Sequence, residues 1–372
     1  MIYFDYSATT PVDNRVLKAY KKAVHRFVGN PNSSHSLGRE SKGAIDKTIL
    51  EIEKLLHIDS SHEVIFTSGA SEANNLAIKG LIEHSNISDA HIITTAFEHP
   101  SVVAPMNYLA RHGFIIDIVR SDEQGRVDLN DLARLLSPKT ILVSIGAVNS
   151  EIGIIQPLES IAKIVHSSSK AAFHCDATQA IGKMPIDLSS LDLVSFSSHK
   201  FYGLKGIGVL LRKKSVLLEP QIHGGHSTSK FRSGTPALPL IISLGTALKC
   251  TLTDFDSKCR HVKELSRYAR LHLASVKDLI FNSQEDVCLP HIINVSLPHF
   301  SSAQIVDYLD KNNIYVSSST ACSSDAEKSS AVFALTRDDV RSRTCIRISL
   351  SFLSTKREVN RLIKVLKRMV SE

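Results

Sequence analysis

No stretch of this chain approaches the ~18 consecutive apolar residues that a membrane-spanning helix needs, so no membrane partner is expected. The opening Met1-Ile-Tyr-Phe-Asp-Tyr6 has no basic segment leading into an apolar run, and no signal peptide is expected. Six cysteines, at 175, 250, 259, 288, 322 and 345, include no C-x-x-C pair and no zinc-ligand spacing. In a chain of 372 residues that spacing implies free thiols in a reducing compartment, hence a cytoplasmic protein with no metal site. There is no internal repeat and no long low-complexity linker. Nor is the net charge of +7 gathered into one block: basic residues are scattered, apart from the last helix. That reads as solubility or acidic partners, with no direct nucleic-acid binding.

What is present is ordinary for a globular chain: 43% apolar and 22% charged residues, with length enough for two domains. Residues 1–35 are turn-rich, with a short helix over Val16 to Val28. From His62 an alternation of strands and helical segments begins. Strands are predicted at His62–Phe66, Ile92–Ile93, Phe114–Val119, Ile141–Ile145 and Ala171–Cys175, then before Ser197 and over Val209–Leu211. This predicts an α/β fold with a mostly parallel central sheet flanked by helices. From about residue 245 the pattern becomes a smaller α+β unit, with strands Ile292–Ser296 and Cys345–Ser349 and a basic amphipathic helix over Lys356 to Val370. The expected division is 1–15 as an N-terminal segment packing with the small domain, 16–244 as the large domain and 245–372 as the small one.

Several strands end in residues with chemistry to offer, and that coincidence says more than any one of them. Lys200, in Ser197-Ser-His-Lys200, stands at a strand end before a glycine-punctuated turn. An open α/β sheet places its chemistry there, and a lysine amine can form a Schiff base with a carbonyl. Hydroxyls of Ser197 and Ser198 and the His199 imidazole could hold a phosphate; pyridoxal 5'-phosphate has both an aldehyde and a phosphate. A surface lysine after a strand would look the same. Gly69-Ala-Ser71 lies between strand and helix, an anion site or a plain helix cap. Asp176 could keep a pyridine nitrogen protonated or cap a helix, and Gln179 and Asn149 could reach a ring hydroxyl. His99 could stack on such a ring and shuttle protons, or simply pack. Arg347, flanked by Ile346 and Ile348, needs an anion, either a substrate carboxylate or an internal salt bridge. Cys322 lies in Ser317–Ser330, where seven of fourteen residues are serine and none is large and apolar. With so little to bury, that thiol is expected to be exposed and able to react, unless it is an incidental surface cysteine.

With these residues assembled, the chain resembles the cysteine desulfurases of the NifS/IscS type, fold-type I enzymes of the class-V aminotransferase group. The likeness runs from Tyr3-Phe-Asp-Tyr-Ser-Ala-Thr-Thr-Pro11 to Arg347-Ile-Ser-Leu350. It includes Gly29-Asn-Pro31, Phe66 to Asn75, Glu98-His-Pro100, Val148 to Gly153, Asp176-Ala-Thr-Gln179, Ser197-Ser-His-Lys200 and Arg232-Ser-Gly-Thr235. The resemblance implies pyridoxal phosphate bound to Lys200. It implies that Ala70, Ser71, Ser197, Ser198 and His199 hold the phosphate, and that Thr235 reaches the phosphate of a partner subunit in a homodimer. His99, Asn149, Asp176 and Gln179 would surround the ring. Arg347 would grip the carboxylate of L-cysteine, with Asn149 also at the substrate, and Cys322 would be the nucleophile. The implied activity turns L-cysteine into alanine and a Cys322 persulfide, whose sulfur passes to an iron–sulfur scaffold or a tRNA-thiolation protein.

Some positions depart from that pattern. Ser319 and Thr320 stand where glycine is common. His223-Gly-Gly-His226 lacks a third glycine, Asn149-Ser150 replaces an asparagine pair, and Asp325-Ala-Glu-Lys328 replaces an apolar patch. The competing readings are a selenocysteine lyase or aminotransferase of the same fold, or a catalytically silent scaffold. A transaminase has no use for the Cys322 thiol, and a scaffold none for Lys200, Asp176 and His99 together.

Overall fold

The computed structural model describes residues 1–225, 227–318 and 328–372. In chain order the strands are β1 (Ile2–Tyr3), β2 (His62–Thr67), β3 (His91–Thr94), β4 (Ile115–Ile118), β5 (Thr140–Ser144), β6 (Ala172–Asp176), β7 (Leu193–Ser197), β8 (Gly208–Lys213), β9 (Ile280–Phe281), β10 (Ile292–Ser296), β11 (Ile314–Tyr315) and β12 (Cys345–Ser349). Seven of them form one sheet in the order β2-β8-β7-β6-β5-β3-β4. The run from β7 to β4 is parallel, while β8 lies antiparallel between β7 and β2. Two antiparallel steps restore direction, so β2, β3, β5, β6 and β7 all point their C-terminal ends to one edge. That edge is where an open α/β sheet gathers ligand-binding residues.

The inner strands are apolar on both faces because both faces are covered, whereas the edge strand β4 leaves Ile115 and Ile118 exposed. Val194, Phe196, Val209 and Leu211 join the larger core, whereas Leu193 and Leu210 join a second cluster with Ala73 and Leu76 on the other side. The helices are α1 (Asn14–Arg26), α2 (Ser36–Leu55), α3 (Ala70–Ser85), α4 (Pro100–Arg111), α5 (Leu129–Leu135), α6 (Leu158–Ser168), α7 (Leu238–Leu252), α8 (Phe255–Leu273), α9 (Ser302–Lys311), α10 (Ser330–Thr336), α11 (Asp339–Arg343) and α12 (Lys356–Met369). Helix α3 packs on the sheet over β7 and β8, and α7 packs on α1 and α2.

A smaller three-stranded sheet, β12-β10-β9, is backed by α8, α9 and α12, whose apolar residues form a separate core with Phe4. The core changes between α7 and α8: Leu244 and Leu248 belong to the larger cluster, Val262 and Leu265 to the smaller. Strand β1 pairs in parallel with β11, and Asp5 bridges Ser349, so the N-terminal segment joins the smaller sheet's side. Among the described residues no single helix is long and apolar enough to cross a membrane. The five described cysteines are free.

Candidate active site

The five strand ends open into a cavity of about 450 Å³, with residues of β12 and of the N-terminal segment closing it. After β2 the chain turns at Gly69 and enters α3 at Ala70. Gly69 is the cap residue and supplies no side-chain cap bond, so the first N–H groups of α3 remain open at the cavity. Ser71 is therefore not the cap; it is the second residue of α3, exposed, on the cavity lining with Ala70. Glu72 in that first turn pairs with Arg232 at 2.8 Å, which commits the arginine of the Arg232-Ser-Gly-Thr235 motif.

Strand β7 ends at Ser197, and a single 3-10 turn, Ser198–Lys200, follows. Ser197, His199 and Lys200 line the cavity. Ser198 does not, contrary to its expected place on the phosphate. Its Oγ is buried, and a Cβ at Gly203 would lie 1.8 Å from it. A turn so tight sends successive side chains to different sides, which a run of Ser-Ser-His-Lys does not reveal. The His199 ring contacts Thr9 Oγ1 at 3.2 Å, and burial followed by Lys200 pushes its pKa down to about 4. It is thus a neutral imidazole near neutral pH. The Lys200 amine donates to Ser7 O at 2.6 Å and Ala8 O at 2.8 Å.

Asp176 closes β6. Its Oδ1 accepts from Thr178 N–H at 2.9 Å, but in a turn and not as a helix cap, since no helix follows β6, and its Oδ2 accepts from Asn74 at 2.9 Å. Gln179 donates to Ser7 O at 3.0 Å and accepts from Lys183, a buried amine whose pKa is held well below normal by burial, then by Lys200 and Arg347. Asn149 donates to Phe97 O at 2.7 Å while its Oδ1 accepts from Glu151 and Ile152 N–H, both at 2.8 Å. Both amides line the cavity, with much of their bonding capacity committed to protein. Arg347 lines it too, and of its two alternatives the internal salt bridge is the one formed. Its side chain is 1% exposed and pairs with Asp5 at 2.8 Å and with Ser150 O at 2.8 Å, while Nε has no partner.

His99 caps α4: its Nδ1 accepts from Ser101 N–H at 3.1 Å and lies 2.7 Å from Ser101 Oγ. Burial pushes its pKa down, Asp176 pulls it up, and Lys200 and Arg347 push it down. Thr235 is exposed and outside the cavity lining. Cys322 lies outside the described residues.

Three groups at this cavity were not singled out from the sequence. Glu98 accepts from Thr95 Oγ1 at 2.7 Å and from Gly146 N–H, and burial pushes its pKa up to about 7. Asn74 and Ser101 link Asp176 to His99. Only Asn74 had a visible cue, an asparagine where a capping box would want Glu or Gln.

The donor set fits pyridoxal phosphate. Open helix N–H groups with Ser71, Ser197 and His199 suit a phosphate, the Lys200 amine an aldehyde, and the Asp176 carboxylate a ring nitrogen. An α/β sheet whose strand-end cavity carries this donor set has the architecture of the fold-type I pyridoxal phosphate enzymes. A profile of the class-V aminotransferases matches residues 2–362. The cysteine desulfurase IscS of Dictyoglomus turgidum is 36% identical over 375 residues, covering 100% of this chain and 95% of that protein. A solved NifS-like protein superposes with a TM-score of 0.93 at 34% identity, covering 100% of this chain and 99% of that one. A structure described as SspA in complex with cysteine superposes with a TM-score of 0.82 at 30% identity, covering 95% of this chain and 100% of that one. The chain belongs to the class-V aminotransferase family, within the group of the cysteine desulfurases, and that family depends on pyridoxal 5'-phosphate.

Proposed function

We infer that this chain is a cysteine desulfurase, acting on L-cysteine to give L-alanine and a persulfide on Cys322. The observation that carries the reading is the meeting of Lys200, Asp176, His99 and Arg347 in one cavity beside an open helix N-terminus. Bound pyridoxal phosphate supplies the electron sink for the α-carbon of the amino acid. Lys200 is the residue that holds its aldehyde carbon and carries the α-proton. Asp176 keeps a proton on the ring nitrogen, and the α3 N–H groups with Ser71, Ser197 and His199 bind the phosphate. Arg347 turns its remaining N–H groups to the substrate carboxylate. The Cys322 thiolate attacks the substrate sulfur: an S–S bond forms, the Cβ–S bond breaks, and the carbon takes up a proton to leave alanine.

The persulfide sulfur then passes to an acceptor protein, an iron–sulfur scaffold or a tRNA-thiolation protein, in the cytoplasm. The working form is a homodimer in which Thr235 serves the partner's phosphate site; its exposure away from its own cavity supports this. The chain divides into a larger cofactor-binding part and a smaller part carrying Cys322 and Arg347, with the N-terminal segment bound to the smaller one. The test is L-cysteine turnover by the cofactor-loaded protein beside Cys322→Ala, following alanine and sulfide together. Both products from the wild type only is the expected result. Equal output from both proteins would refute persulfide formation on Cys322.

A further inference from the structure

We propose that Asn74 and Ser101 form a relay that fixes His99 as a neutral imidazole with its proton on Nε2, so that its cavity-facing nitrogen donates a hydrogen bond and does not act as a base. The relay starts at Asp176. Asn74 is fully buried on α3, and its Nδ2 lies 2.9 Å from Asp176 Oδ2 and 2.9 Å from Ser101 Oγ. The two amide protons are thereby both used. Its Oδ1 is buried without a partner. Turning the amide over would bring that oxygen against the carboxylate, so Asp176 dictates which way Asn74 points.

The next link follows from counting protons. Ser101 Oγ accepts from Asn74, so its own proton points elsewhere, and His99 Nδ1 lies 2.7 Å away. The Ser101 backbone N–H donates to the same nitrogen at 3.1 Å, as the side-chain cap of α4. A nitrogen that accepts from two donors has no room for a proton of its own. The single proton of the neutral ring therefore sits on Nε2. The charged groups facing His99 are Asp176, which favours protonation, and Lys200 and Arg347, which oppose it together with burial. Glu98 adjoins it in the chain and is itself largely protonated below about pH 7. The balance leaves the ring neutral, which is the state the relay requires.

The catalytic consequence rests on the desulfurase reading. To take a proton, His99 would have to accept it at Nδ1 and give up both Ser101 bonds. As wired, it donates from Nε2, a role that suits a developing anion in the cavity. Asn74 and Ser101 are positioning residues: they act through His99 and Asp176.

The experiment uses protein labelled with 15N-histidine, loaded with pyridoxal phosphate and again after its removal. Ring-nitrogen spectra are followed from pH 5 to 9, and the His99 signals are identified by their loss in His99→Gln. In wild type Nδ1 is expected to be bare and Nε2 protonated at neutral pH and above. Ser101→Ala removes the hydroxyl donor and should raise the His99 titration midpoint by roughly half to one pH unit, the equivalent of one lost hydrogen bond. Asn74→Leu should move it the same way, and Ser101→Thr, which keeps the hydroxyl, should restore it. The acid limb of kcat/KM with L-cysteine should shift with the midpoint. A proton on Nδ1 in wild type, or a midpoint unmoved in both Ser101→Ala and Asn74→Leu, overturns the relay. Absence of cysteine turnover would count against the desulfurase reading alone, since the spectra do not depend on the substrate.

Discussion

Replacing Asp5 with alanine tests how the buried Arg347 is tolerated. Arg347 is 1% exposed and its one carboxylate partner among the described residues is Asp5, at 2.8 Å. Removing one member of a fully buried pair costs about 3–5 kcal/mol, because the charge left behind has no counter-ion. Asp5 is 22% exposed, so water softens the loss, and Ser150 O still accepts from Nη1. The expected cost is about 2–3 kcal/mol. For a folding unit of 150–250 residues that corresponds to a fall of roughly 4–12 °C in melting temperature. Arg347→Met leaves behind a carboxylate that water can reach, so it should cost less. The double variant Asp5→Ala/Arg347→Met should cost less than the sum of the two, by about 1–2 kcal/mol. Formate, a small carboxylate, should restore part of the melting temperature in Asp5→Ala and none in the double variant. A melting temperature for Asp5→Ala within a degree of wild type would refute the reasoning, as would strict additivity in the cycle.

Other parts of the cavity carry their own signatures. Glu98 has its pKa raised by burial from 4.5 to about 7, so between those values the folded chain holds a proton that the unfolded chain has released. Its contribution is full below about pH 4.5 and is lost as pH rises through 7, a span of at most about 3 kcal/mol. Glu98→Gln should therefore gain stability on wild type between pH 5 and pH 8 in urea unfolding; a pH-independent difference would contradict this. Gly208 opens β8 where a Cβ would lie 2.7 Å from the Gly69 backbone. Gly208→Ala should push the α3 N-terminus away from the cavity and weaken pyridoxal phosphate binding at least tenfold, with circular dichroism unchanged; unaltered affinity would show that the close approach is dispensable.

The sheet was legible because its strands are apolar runs, most of them buried on both faces, broken by turns. Predicted and observed bounds differ by a residue or two at β3, β4 and β6, and coincide at β10 and β12. The antiparallel insertion of β8 between β7 and β2 was not, since pairing direction leaves no mark on an apolar run. Helix α2 begins as early as Ser36, capped by the His35 ring on Gly38 N–H, and histidine is an unusual cap to look for. Helix α7 buries most of its sides, so it shows little amphipathic period. At the site, Lys200, Asp176 and His99 could be read because polar residues at strand ends stand out against apolar strands. Ser198 misled because its neighbours on both sides do line the cavity. Asn74, Ser101 and Glu98 were hidden for a different reason. Their significance lies in burial and in bonds spanning 27, 102 and 48 residues, which no local pattern records.

The N-terminal segment brings these threads together at the cavity mouth. Ser7 O receives both the Lys200 amine and the Gln179 amide, and Ala8 O receives Lys200 again. Two residues earlier, Asp5 holds Arg347 across 342 residues of chain. Thr10 is tied to His199 O through both its N–H and its hydroxyl. One short stretch thus fixes the position of the amine, of the guanidinium and of the turn that carries the amine. The sheet supplies strand ends that cannot move without breaking the ladder. The segment sets the distance between those ends and a residue of the smaller sheet. Under the proposed function, a carboxylate arriving at Arg347 would meet a cation already paired with Asp5, a pairing that lowers the cost of keeping that cation buried. Arg347 and Lys200 line the same cavity. If the proposed function holds, binding a carboxylate and presenting an amine to the same molecule is a matter of two fixed points on one scaffold, the preorganisation that amino-acid chemistry would require.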